Sequence, residues 1–118
     1  MGRRYIMADL LDESRQLNDH IRQSDEYKAY QRAKQALNEH EDLRQQLKEF
    51  RRRNYELQNH PGYNPYDEVD ALIVEYDAVI HNSVVTEFIM AEQKLCRVLQ
   101  DVFTTLADGL EFDYLYEQ

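Results

Sequence analysis

Seven residues, Val85, Phe88, Glu92, Leu95, Leu99, Val102 and Leu106, recur at alternating intervals of three and four. That spacing draws one stripe along a helix, the strongest periodicity in the stretch from Val79 to Leu106. Six of the seven are apolar, and the seventh is a carboxylate. An unpaired buried carboxylate is very costly, so Glu92 is expected to pair with a neighbouring helix. Arg32, Lys34 and Arg44 are the candidate partners. If the pair is buried, truncating Glu92 to Ala should cost about 3–5 kcal/mol. A change near zero would put Glu92 in solvent and rotate the seam.

A second seam lies upstream. Ala29, Ala33, Ala36, His40, Leu43, Leu47, Phe50, Asn54 and Leu57 follow a 4-3-4-3 pattern over residues 25–58, with no Gly or Pro among them. This heptad pattern predicts one long helix with coiled-coil-like packing. Its first half is small and its second half large, and Tyr27, Tyr30 and Leu37 form a stripe beside the alanines. The polar seam residues His40 and Asn54 are candidates for fixing register. Such a helix would be about 50 Å long, more than a compact chain of this size covers well. Part of it is therefore expected to pack on a second chain.

The remaining elements follow from local signals. Ile6, Leu10, Ser14, Leu17 and Ile21, widened by Leu11, make residues 5–22 an amphipathic helix. Ser24 is an N-cap candidate, followed by Asp25 and Glu26 at the positive end of the dipole. His60-Pro61-Gly62 and Asn64-Pro65 mark a turn. Asn64 or Asp67 then caps a helix over 66–81, with Val69, Leu72, Ile73, Tyr76, Val79 and Ile80 as its stripe. Asn82-Ser83 signals a break and a new helix over 84–108, which Gly109 ends near the C′ position. The tail 109–118 holds Leu110, Phe112, Tyr114, Leu115 and Tyr116. It either packs back or serves as a contact segment. No β-strand candidate competes with helix. The expected fold is all-α: one domain over 1–118, an antiparallel bundle of about four helices with one long central helix, dimerising through its long helices.

Composition removes several function classes. The chain of 118 residues carries a net charge of -9, which disfavours a basic nucleic-acid surface. Arg51-Arg52-Arg53, flanked by Lys48 and Arg44, is the one basic cluster. It reads as a solvated helix face or as ion pairs with a partner's carboxylates, and direct RNA contact is the minor alternative. The single cysteine, Cys96, excludes an internal disulfide framework and a self-contained four-cysteine site, and fits a reducing cytoplasm. Beside Leu95, it reads as a small buried hydrophobe. No apolar run reaches membrane-span length, and the N-terminus does not read as a signal peptide.

Chemistry is thin. There is no nucleophile elbow, no phosphate-cradling Gly-rich loop and no HExxH. His20, His40, His60 and His81 make no helical i,i+4 pair with another His or with Cys. The residues three before them are Leu17, Leu37, Leu57 and Ala78, so the Glu-x-x-His pairs of di-iron bundles are absent. No second carboxylate or base is placed to work with Glu92. The sequence therefore predicts no enzyme and no resident cofactor or metal. The residues expected to matter are for interaction and structure: Glu92, His40, Asn54, Leu43, Leu47, Phe50, Phe88 and Leu95.

Three blocks carry a family resemblance. The first is Ser24, Glu26, Tyr27, Ala33, Lys34 and Leu37. The second is Leu47 and Phe50. The third is Asn82, Val84, Phe88, Ala91, Glu92, Leu95, Leu99 and Val102. Over roughly residues 10–110 the chain resembles the YlbF/YmcA family, which includes YheA-like proteins. The resemblance implies a small all-α cytoplasmic protein of Gram-positive bacteria that forms dimers or higher oligomers. It implies a regulator of competence, biofilm formation or sporulation, with a related family member or an RNase complex as protein partner. Some relatives hold iron-sulfur clusters on cysteines, including cysteines in a C-terminal extension. With only Cys96 and no such extension, cluster binding is not expected here. The alternative is a metal- or cluster-binding protein using Cys96 with ligands from partner chains.

Overall fold

The computed structural model describes residues 4–59 and 66–111. The turn after Asn59, the Asn64 cap and the tail beyond Glu111 lie outside the described residues. Within them the chain is helical, with no strand: α1 (Met7–Arg22), α2 (Asp25–Asn38), α3 (Glu41–Gln58), α4 (Tyr66–Glu75), α5 (Asp77–Ile80) and α6 (Ser83–Ala107). The described residues hold six helices where the sequence predicted about four.

The capping residues act as their chemistry dictates. The Ser24 hydroxyl donates to the Ile21 carbonyl at 2.6 Å and accepts from the Tyr27 N–H at 3.2 Å. One side chain thus closes α1 and opens α2. The Asn82 side chain accepts from the N–H groups of Val84 (2.9 Å) and Val85 (3.4 Å), which starts α6 at the expected break. At the far end, Asp108 (φ -61, ψ 130) and Gly109 (φ 80) form a type II turn, closed by Leu110 N–H to Ala107 C=O at 3.1 Å. The positive φ is why glycine stands there.

The predicted continuous helix over 25–58 is corrected. It breaks at Glu39-His40, where His40 leaves helical geometry (φ -114, ψ 76). Neither Gly nor Pro causes the break, so the reason is tertiary. Leu37 and Leu47 both bury into one core cluster. On a straight helix they would be about 15 Å apart and rotated by about 80° from each other. Bending at His40 brings both to the same core, and burying two leucines outweighs the modest cost of interrupting the helix. The 66–81 helix is likewise interrupted, at Tyr76, whose ring is buried.

The core consists of Leu37, Leu47, Leu72, Tyr76, Val79, Val85 and Phe88, with Tyr30, Ala33, Leu43, Phe50 and Leu57 packed at its edge. Val85, at 0% exposure, is its centre. Two aromatic pairs tie the elements together: Tyr30 with Phe88 (centroids 5.6 Å) and Phe50 with Tyr76 (5.5 Å). The alanines behave as the seam required. Ala29, Ala33 and Ala36 of α2 lie with Ala91 of α6 along one shallow depression, where small side chains let two helices approach closely.

Candidate protein-interaction surface

The arginine cluster is the device that sets the helices against each other. Two residues apart on a helix is a rotation of about 200°, so Arg51 and Arg53 reach in opposite directions. The Arg51 guanidinium donates to both Glu92 carboxylate oxygens, at 2.7 and 3.1 Å, and lies 5.7 Å over the Phe88 ring. It fastens α3 to α6. Arg53 donates to both Glu75 oxygens, at 2.6 and 3.2 Å, and to the Tyr76 hydroxyl at 3.3 Å, with its guanidinium 5.5 Å over the same ring. It fastens α3 to α4. Arg52, between them, faces outward and bonds Glu56 one turn on, at 3.0 Å. The hydrogen bonds from Arg53 hold the Glu75 carboxyl below its ordinary value of 4.5, and that carboxylate in turn raises the Arg53 guanidinium.

Glu92 is thus paired, and its partner is Arg51 rather than Arg32, Lys34 or Arg44. Arg44 is held within its own helix by Glu41, at 2.7 Å. The Arg51 and Glu92 side chains are 43% and 30% exposed, so the pair sits at the rim of the core. Of the other predicted positions, Leu47 and Phe88 meet in the core, and Leu43 and Phe50 pack against it. Leu95 is half-buried one turn beyond Glu92. Asn54 is half-buried and accepts from the Gln58 side chain at 3.1 Å. His40 is exposed at the joint, so it occupies no seam position within a helix. Cys96 is exposed, which corrects the expectation that it is buried. Glu75 was not singled out from sequence, and Arg51 and Arg53 were read only as part of one basic cluster, not as clamps in opposite directions. The signal was present in the i,i+2 arginines, which cannot share one face of a helix.

The α6 stripe changes character along its length. Val85 and Phe88 are buried, Glu92 and Leu95 are half-buried, and Leu99 and Leu106 are exposed, Leu106 at 63%. α1 buries no residue. Ile6 at its N-cap and Met7, Leu10 (48%) and Leu11 (45%) on it are exposed, although Leu17 faces Val102, Thr105 and Leu106 across a shallow cavity. Amphipathic helices normally hide that stripe.

Among the described residues, no group of three or more His, Cys, Asp or Glu side chains is placed to hold a metal ion. No helix among them is long and apolar enough to cross a membrane. A family model described as control of competence regulator ComK, YlbF/YmcA, matches residues 10–111. The chain belongs to this family. Similar proteins carry the designation UPF0342 protein. That of Caldicellulosiruptor bescii is 25% identical over 109 residues, covering 90% of this chain and 92% of its own length. That of Symbiobacterium thermophilum is 24% identical over 107 residues, covering 88% and 96%. That of Staphylococcus epidermidis is 28% identical over 112 residues, covering 92% and 98%. No solved structure matches the chain.

Proposed function

We propose that this chain is a non-enzymatic cytoplasmic regulator that self-associates and acts through protein partners. Competence control is the setting its family description supports, and the family resemblance adds RNA processing, biofilm formation and sporulation to the proposal. The observation that carries the reading is the open apolar surface of α1 and of the second half of α6: Ile6, Met7, Leu10, Leu11, Leu99 and Leu106. Surfaces of this kind mark protein contacts. Self-association covers them with a second copy, and the coiled-coil-like spacing of the α6 stripe suits helix-on-helix packing.

Sedimentation velocity tests the first half of the reading. The wild type should be a dimer or larger at micromolar concentration, and Leu10→Glu with Leu106→Glu should shift it to monomer while retaining helical content. A wild-type chain that stays monomeric would remove self-association. Affinity capture from the native host tests the second half, since a regulator of this type must retain at least one specific protein. Recovery of none would leave only the oligomer.

A further inference from the structure

The bend at His40 does more than bury Leu37 and Leu47. It opens a cleft of about 260 Å³ between α2 and α3, with Phe88 of α6 beneath it. Leu37, Leu47 and Phe88 form its floor. Lys34 and Asn38 stand on the α2 wall, and Arg44, Lys48 and Arg51 on the α3 wall. The α3 residues are spaced i, i+4, i+7, so all three cations share one helix face. On α2 the wall continues as Tyr27, Tyr30, Gln31 and Gln35, which border an adjoining depression that shares Lys34 and Asn38.

Four cations therefore converge on one apolar hollow, in a chain with 23 acidic and 14 basic residues. Two of the four are internally satisfied: Arg44 by Glu41 and Arg51 by Glu92. Lys34 and Lys48 have no ion-pair partner among the described residues and are exposed. The cleft is thus locally positive against a negative whole. Its walls also offer the aliphatic stems of the lysines and two half-buried tyrosines, surfaces that welcome apolar side chains.

We propose that this cleft docks an acidic, amphipathic segment of a partner protein, with one or two carboxylates on Lys34 and Lys48 and a neighbouring apolar side chain over Leu37, Leu47 and Phe88. A volume of this size holds a few side chains, not a folded domain. The floor favours protein over nucleic acid, because two of its three residues are leucines, which offer no stacking face. Phe88 already lies beneath Arg51, and the net charge of -9 repels a long polyanion while tolerating a few carboxylates. The inference rests on the reading that this protein acts through protein partners, and supplies the chemistry of that contact.

Fluorescence anisotropy tests it on the full chain. The probe is a short dye-labelled peptide alternating Glu with Leu and Phe. Comparison probes replace its Glu by Lys, replace its apolar residues by Glu, or substitute polyuridine. The first peptide should bind, weaken several-fold between low and physiological salt, and weaken about tenfold in Lys34→Glu/Lys48→Glu. Binding unchanged in that variant, equal binding of the all-Glu peptide, or tighter binding of polyuridine would overturn the proposal. Circular dichroism checks that the variant folds, and Lys34→Gln/Lys48→Gln replaces it if it does not. The same variant is carried through the host capture experiment. Partners retained by both proteins would sink the cleft alone, whereas no partner for the wild type would sink the broader reading.

Discussion

The Arg51–Glu92 clamp offers a measurable balance between burial and solvent. From sequence, a buried Glu92 would cost about 3–5 kcal/mol on truncation. The structure places its side chain at 30% exposure and that of Arg51 at 43%, with bidentate geometry and a 2.7 Å contact. Exposed pairs contribute about 0.2–1 kcal/mol, and partial burial with two good hydrogen bonds moves this one to the top of that range. Glu92→Ala should therefore cost about 1 kcal/mol. Arg51→Ala should cost more, about 1–2 kcal/mol, because it also removes the guanidinium over Phe88. In a double-mutant cycle the coupling should be about 0.5–1 kcal/mol. For a chain of this length, about 1 kcal/mol corresponds to a melting shift of about 4 °C. Urea denaturation followed by circular dichroism is the assay, run at two protein concentrations because self-association would make the midpoint concentration-dependent. A coupling near zero would show the pair to be inert. A loss above about 3 kcal/mol for Glu92→Ala would mean that another surface covers the pair, since the isolated chain leaves it half-open.

Three further predictions follow from individual contacts. The Glu75 carboxyl, lowered by its hydrogen bonds from Arg53, contributes stability that is in full above the ordinary value of 4.5 and is lost as pH falls through its folded value. Side-chain carbon NMR should find Glu75 titrating below its ordinary value of 4.5, and Arg53→Ala should return it toward that value. Asn82→Ala removes the acceptor for the Val84 and Val85 N–H groups and should cost about 1 kcal/mol in chemical denaturation. Cys96 should react stoichiometrically with a thiol reagent in the dilute native protein, and complete protection there would contradict its exposure.

Whatever depended on neighbouring residues was readable before the fold was known. The Ser24 and Asn82 caps, the α1 boundaries, the end of α6 at Gly109 and the helical class all rest on interactions within a turn or two. The Glu39-His40 break was not readable, because local propensity through Glu39 and His40 contains no interruption strong enough to compete with the heptad pattern. Only the shared burial of Leu37 and Leu47 accounts for it, and that burial depends on residues far away in sequence, Val85 and Phe88 among them. The misassigned partner of Glu92 has the same origin. On an unbroken helix Arg32, Lys34 and Arg44 were plausible mates, whereas the bend brings Arg51 to Glu92. The buried reading of Cys96 failed because the stripe beside it is covered only toward its N-terminal end. Apolar spacing gives the direction of a face but not how far along it the cover extends.

The bend at His40 also stores an alternative. Residues 25–58 prefer to be one rod, and packing holds them as two. Loosening the Leu37–Leu47 contact leaves local preference in command, so damage to the core should lengthen this part of the molecule instead of simply melting it. Spin labels at Lys28 and Glu56 would read that as a longer distance in Leu47→Ala than in the wild type.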